Sequence, residues 1–269
     1  NKDGDFVSNL QKVPLTEELP KGFMSVRTGK RSFSWRPDKG ASLTYVTALD
    51  SGDPSKKVDF RDEVYELNYP FSGKGKFILK TINRFSGIDW GTKDMAIAYD
   101  TWWNTRNRKS YVFNPSNPNI KPKIISDRNY QDTYSDPGNF LRSRNEFNRS
   151  VLKMHYGNIF LRGQGFSPSG QFPFIDKVNT KTFEKTRVYQ SSYTDKIESI
   201  IDYDPKKNQL TVSIESPSEY PNYYTKKVKS GKLEKLTNLK NPFLELQNVK
   251  KEKITYLRND GVELSGILY

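Results

Sequence analysis

Apolar positions along this chain recur with a period near two rather than 3.6. "LTYVTAL" (Leu43 to Leu49), "MAIAY" (Met95 to Tyr99), "NIFLR" (Asn158 to Arg162) and "QLTVSIE" (Gln209 to Glu215) run as short alternating stretches. That is the pattern of strands covered on one face. Gly, Pro, Asn or Asp bounds each of them, and these residues punctuate strands with turns. No window keeps apolar residues at i, i+3, i+4 and i+7 over three turns, so no amphipathic helix is predicted. The chain reads as nearly all β.

The strands come in a repeated order. "RSFSWRPDKGASLTYV" (Arg31 to Val46) returns about fifty residues later in "NRFSGIDWGTKDMAIAY" (Asn83 to Tyr99). Further units begin at "VLKMHYGNIFLRG" (Val151) and "SIIDYDPKKNQLTVSIES" (Ser199). In each, a short strand ends at a bulky residue (Trp35, Trp90, Met154, Tyr203), followed by a polar turn, an alternating strand and two more strands. Four strands in about 45–60 residues is the size of a propeller blade, and radial repetition of such blades hides sheet edges. A β-sandwich also has many short strands, but it gives no reason for a fourfold recurrence. The predicted fold is all-β: a partial β-propeller of about four four-stranded antiparallel blades. The blades are expected at 31–82, 83–128, 146–192 and 193–244. Residues 1–30 would supply a loop and a strand completing a preceding blade, and 129–145 a polar insertion. The remainder, 245–269, would begin a crossing out of the propeller.

Composition fits a thin, aromatic core. Only 34% of residues are hydrophobic and the mean hydropathy is -0.82, yet there are 16 Tyr, 16 Phe and 4 Trp. Such side chains bring large buried area with a polar handle. The formal charge of +13 raises the question of nucleic acid, but the lysines are scattered through turns ("DPKKN", "KSGKLEK", "VKKEK"). A nucleic-acid footprint is a clustered stripe, so no nucleic-acid partner is expected. No apolar run approaches the length of a membrane-spanning helix, and "NKDGDFVSN" is not a signal peptide.

Catalytic chemistry is sparse. With no cysteine, disulfides, thiolate metal sites and a cysteine nucleophile are excluded. The nearest approach to G-x-S-x-G is "GQGFSPSGQ" (Gly163 to Gln171). There Ser167 is followed by Pro168 and Ser169, which reads as a turn rather than a nucleophile elbow. His155 is the single histidine, so an ordinary triad has no base to spare and a histidine zinc site cannot be assembled. Asp50, Asp53 and Asp59, and Asp3 with Asp5, miss the calcium-loop pattern and read as turn caps. No cofactor is expected.

Several longer stretches together resemble a known family. They include "VPLTEELPKGFMSVRTGKRSFSWRPDKGASLTYVTALDSGD", "RDEVYELNYPFSG", "WWNTRNR", "DRNYQDTYSDPG", "SPSEYPNYY" and "LTNLKNPFLEL". The chain resembles the N-terminal propeller of the prolyl oligopeptidase family of serine peptidases, in its glutamyl-endopeptidase-like branch. The ending, "KKEKITYLRNDGVELSGILY", resembles the family's crossing into its α/β-hydrolase domain. The resemblance implies the second half of a seven- or eight-bladed propeller, followed in the parent by a catalytic domain beyond Tyr269. This chain alone would be non-catalytic. Its partners would be that hydrolase domain and a peptide substrate, with the propeller limiting access to the catalytic centre. The alternative is a standalone propeller that binds a protein or a glycan, since fold does not fix function. The resemblance leans toward an exported location, which residue usage does not oppose.

Under this resemblance three loops are candidates for a substrate or interdomain face: "WWNTRNR" with Arg106 and Arg108, the insertion with Tyr134, Asp136, Arg142 and Arg144, and "SPSEYPNYY" with Glu219. A peptidase selecting acidic side chains needs a cation, and the guanidinium fork pairs bidentately with carboxylate. The plain alternative is ordinary loop arginines, with Trp102 and Trp103 packed as buried aromatics.

Overall fold

The computed structural model describes residues 3–6, 9–246 and 249–269. Their regular structure is almost entirely strand, with two 3-10 turns at Thr16–Glu18 and Leu244–Leu246 and no α-helix. The chain divides into two compact units, Asn1–Pro168 with Phe174–Tyr189, and Ser169–Pro173 with Gln190–Tyr269.

The first unit is built from three antiparallel meanders. Blade one is β1 (Arg31–Trp35), β2 (Ser42–Ala48), β3 (Asp62–Asn68) and β4 (Lys76–Thr81), paired in chain order. Blade two repeats the order with β5 (Arg84–Thr92), β6 (Met95–Trp102), β7 (Asn107–Phe113) and β8 (Lys123–Asn129). The copied sequence motif is therefore the first hairpin of each blade. Both first strands carry a register shift soon after their leading arginine, between Arg31 and Ser34 and between Phe85 and Gly87. A bulge bends its strand and increases the local twist.

Side-chain alternation turns these sheets into stacked layers. On β6, Ala96 and Ala98 face Val46, Val64, Ile78 and Leu79 of blade one, while Met95 and Ile97 face Ile159, Leu161 and Val178 of blade three. The period of two gives one strand two interfaces. The far face of blade one is aromatic: Tyr45 and Tyr65 stack with ring centroids 5.2 Å apart, flanked by Phe33 and Phe77.

Blade three departs from the plain meander. Its innermost position is filled in two pieces, β9 (Asn139–Phe140) and β12 (Met154–His155), both paired with β13 (Asn158–Gly163). Between them the chain leaves the sheet as a hairpin, β10 (Arg142–Arg144) with β11 (Ser150–Leu152). Leu141 N donates to Phe160 O, and Lys153 N donates to Leu141 O, each at 2.8 Å, closing the base of the excursion. Two short strands follow, β14 (Phe166–Ser167) and β15 (Gly170–Gln171), and then β16 (Phe174–Asn179) and β17 (Lys185–Gln190) complete the blade.

Two sequence-based expectations change here. The stretch 129–145 is not a uniform polar insertion: it contains the end of β8, a loop, the first piece of blade three's inner strand and one arm of the hairpin. No strand forms among the described residues before Arg31; Thr16–Glu18 make a 3-10 turn, and Val26 N donates to Gly52 O at 3.0 Å. Residues 1, 2, 7 and 8 of that stretch lie outside the described residues.

The second unit holds a fourth meander, β18 (Ile197–Asp204), β19 (Gln209–Glu215), β20 (Asn222–Lys227) and β21 (Leu233–Lys235). Its first strand is bulged between Ile200 and Asp202, as in blades one and two. Asn222 uses its whole amide. Its oxygen accepts from Leu239 N at 2.7 Å and Thr237 Oγ1 at 2.9 Å, and its nitrogen donates to the carbonyls of Tyr220 and Leu239. A final hairpin pairs β22 (Glu252–Leu257) with β23 (Glu263–Leu268).

Candidate functional site

The hairpin β10–β11 reaches from the inner strand of blade three toward the inner strands of blades two and one. Arg142 pairs with Asp89 on β5. Asn145 Nδ2 donates to Pro37 O at 2.8 Å, and the Arg149 guanidinium donates to the carbonyls of Arg36 at 3.1 Å and Lys39 at 3.3 Å. These bonds hold the hairpin over a cleft of about 830 Å³ lined by Trp35, Ile88, Trp90, Arg142, Arg144 and Arg149.

The leading residues of the sequence repeat shape this cleft. Trp35 and Trp90 occupy matching places in their blades, yet Trp90 is buried and Trp35 is 54% exposed. Trp35 meets Phe71 edge-on at 5.6 Å, leaving an aromatic surface toward the cleft. Behind Trp90 lies Arg36, 1% exposed, with its guanidinium 4.0 Å from the ring. Arg36 is neutralised by Asp38 at 2.6 Å and Glu66 at 3.0 Å. A buried cation needs such partners. Burial pushes the Glu66 carboxyl up, but hydrogen bonds from Lys39 and Ser42 and the charges of Arg36 and Lys39 outweigh it, so the net shift is downward.

The hairpin cations are not neutralised in the same way. Arg144 donates to Asn148 O at 2.9 Å, and Arg149 is bonded to main-chain carbonyls. Neither has a carboxylate partner among the described residues. Asp89 balances Arg142 and also accepts from Tyr99 Oη at 2.8 Å. Burial and the nearby Asp89 carboxylate push the Tyr99 phenol well above its usual range. The cleft therefore joins an aromatic platform to surplus positive charge, a combination suited to anionic, extended ligands.

The five predicted site residues do not converge. Arg142 and Arg144 share the cleft. Arg106 folds onto its own turn, with its guanidinium 3.6 Å from the Trp103 ring and donating to Trp103 O at 2.6 Å. Arg108 stacks on Tyr99 at 4.6 Å and lines a different cavity. Glu219, in the second unit, pairs with Lys196 at 3.0 Å on an exposed loop. Trp103 is not a core residue: it is 43% exposed, between Phe23 and Arg106. Trp102 stacks under Arg61 at 3.9 Å. Sequence reading overlooked Trp35 and Arg149 as cleft residues; the signal was the Trp35/Trp90 correspondence in the repeat.

The turn reading of two acidic groups holds in part. Asp50 caps Gly52 N at 2.9 Å and Asp53 caps Ser55 N at 2.9 Å, but Asp50 also anchors Arg61 and Arg84. The stretch from Gly163 to Gln171 contains the short strands β14 and β15 and no helix after the serine, unlike the strand–turn–helix of a nucleophile elbow. His155 lies on β12, its ring 4.2 Å from that of Tyr156. No helix among the described residues is long and apolar enough to cross a membrane.

Repeated four-stranded meanders, stacked face to face in the first unit, define an all-β protein of the propeller class. No protein-family model matches the chain. Over 99% of its length it is 34% identical to a rice (Oryza sativa subsp. japonica) protein named probable glutamyl endopeptidase, chloroplastic, and 33% identical to the protein of the same name from Arabidopsis thaliana. The similarity to proteins named glutamyl endopeptidase thus runs along 99% of the chain, which spans 30% of the length of those relatives. Among solved structures, oligopeptidase B from Trypanosoma brucei aligns with 87% of the chain and 31% of its own at a TM-score of 0.45 and 13% identity. The β-propeller domain of the trilobed protease from Pyrococcus furiosus aligns with 76% of the chain and 57% of its own, at 0.41 and 14%. These are loose likenesses, and the fold assignment stands on strand order and register.

Proposed function

We propose that this chain is the propeller region of a serine peptidase, non-catalytic by itself, which limits peptide access to an α/β-hydrolase domain of the same parent and docks on it. The observation that carries this reading is the match over 99% of the chain to proteins named glutamyl endopeptidase, of which it spans 30%. The cleft under the hairpin adds to it. Arg144 on the hairpin, Trp35 on β1 and Arg142, which is shared with Asp89, offer a cationic and aromatic surface, where an extended acidic peptide or the hydrolase domain would meet the propeller. Arg106 and Glu219 have a lesser part in this reading because their partners tie them elsewhere, and Arg108 because it lines a different cavity.

The test is to compare this chain with the longer parent on fluorogenic peptides carrying Glu, Gln or Leu before the scissile bond. The parent should cleave the Glu peptide and this chain should cleave none. Arg142→Ala with Arg144→Ala in the parent should lower kcat/KM for the Glu peptide by about tenfold relative to Leu, the scale of a lost charge-assisted hydrogen bond. Hydrolysis by this chain alone, blocked by a serine-directed reagent, overturns the non-catalytic role. Unchanged selectivity in the double variant removes the cleft from the reading. A parent that ends without a hydrolase domain would favour the standalone binding module.

A further inference from the structure

A second cavity lies between the outer strands of blades two and three. It encloses about 460 Å³, within the range of small-molecule sites, and Ile125, Phe140, Leu161 and Phe183 supply apolar walls. These residues belong to the interblade cluster around Ile97 and Ile159, so the cavity is a gap in a packed interface. Its rim is fixed. Gly138 has φ +85°, and a Cβ there would lie 2.3 Å from Arg162 O, so the loop sits directly on the backbone of β13.

The charges around the cavity are paired, with one exception. Asp127 is held by Lys109 at 2.5 Å, Arg128 faces Asp136 at 3.8 Å, and Lys185 faces Asp176 at 3.6 Å. Arg108 has no carboxylate partner and no hydrogen-bond acceptor among the described residues; it lies flat on the Tyr99 ring, 4.6 Å from the centroid. Tyr99 Oη is already committed to Asp89, so the phenol offers Arg108 a surface and no acceptor. A guanidinium beside an apolar chamber is a good anion acceptor, because its fork matches a carboxylate.

We propose that this cavity is a binding site for a small carboxylate with an apolar tail, the carboxylate on Arg108 and the tail against Ile125, Phe140, Leu161 and Phe183. The site is separate from the cleft under the hairpin and does not depend on peptidase activity. Each feature of the pocket has a counterpart in such a ligand: one uncompensated cation, one apolar chamber, one fixed rim.

Calorimetric titration of the whole chain with 4-phenylbutyrate tests this, with 4-phenylbutyramide as the uncharged probe. Saturable one-site binding of the acid is expected, about tenfold weaker for the amide and for R108Q, while Arg144→Ala binds as the parent chain does. An unchanged melting temperature shows that R108Q is folded. If it is not, R108K replaces it: the cation remains but the fork is lost, and binding should weaken severalfold. No saturable binding of the acid, equal binding of acid and amide, or full affinity in the folded Arg108 variant would each overturn the proposal.

Discussion

Arg31 and Arg84, which lead the inner strands of two successive blades, grip the same carboxylate: Asp62 lies 2.5 Å from the first guanidinium and 3.2 Å from the second. The chain of charges continues, since Arg84 also forks onto Asp50 at 2.9 and 2.7 Å and Arg61 reaches Asp50 at 2.7 Å. All but Arg61 are buried.

Removing Asp62 would leave the buried Arg31 guanidinium without its carboxylate, while Arg84 keeps its fork on Asp50, and a broken buried pair costs about 3–5 kcal/mol. Asp62→Ala should lower the stability of the first unit by that amount in urea unfolding. Glu219→Gln, which breaks an exposed pair, should leave the same curve unmoved.

Glu66 links stability to acid. Its folded-state carboxyl titrates below the ordinary glutamate value of 4.5, so folding favours the ionised form. The contribution is complete above that value and is lost as pH falls through the depressed folded-state range. Unfolding midpoints of the native chain should therefore fall more steeply with acid than those of Glu66→Gln. Equal slopes would show that Arg36 and Lys39 do not hold this carboxylate ionised.

Ile97, fully buried between blades two and three, should be a sensitive packing site. Ile97→Ala deletes side-chain volume where the sheets have little room to close, and about 2–5 kcal/mol of destabilisation is expected in denaturant titration.

Gly52 fixes the leading segment to blade one. Its φ is +78°, and a Cβ there would fall 1.8 Å from Val26 O. Gly52→Ala must displace that backbone. Hydrogen exchange should show faster exchange at Val26, whose N–H bonds Gly52 O, and stability should drop by about 1–3 kcal/mol.

Much of the blade plan could be read from residues. The pairs Arg31/Arg84 and Trp35/Trp90 mark inner strands at matching offsets, but the alternating reading of β6 expected one covered face where the structure buries both. The interrupted inner strand could not be read, because two-residue strands at Asn139–Phe140 and Met154–His155 carry no period. Their pairing is set by β13, which follows Met154–His155 by a tight turn but lies about twenty residues beyond Asn139–Phe140. Among the described residues no strand forms before Arg31, where "PLTEELPKG" holds prolines that withhold ladder donors. Among site residues, arginine suited an anionic surface, but which arginine was free depended on partners distant in sequence. Asp89 takes Arg142 from 53 residues away, and the turn at Trp103 captures Arg106.

The clasp between Leu141 and Lys153 lets the sheet tolerate whatever is spliced between those two residues. Lengthening a loop whose ends are already fixed adds little entropic penalty, so the segment 142–152 can be rewritten while blade three keeps its register. Exchanging this graft would change the chemistry over the cleft, and the strands beneath it would keep their pairing.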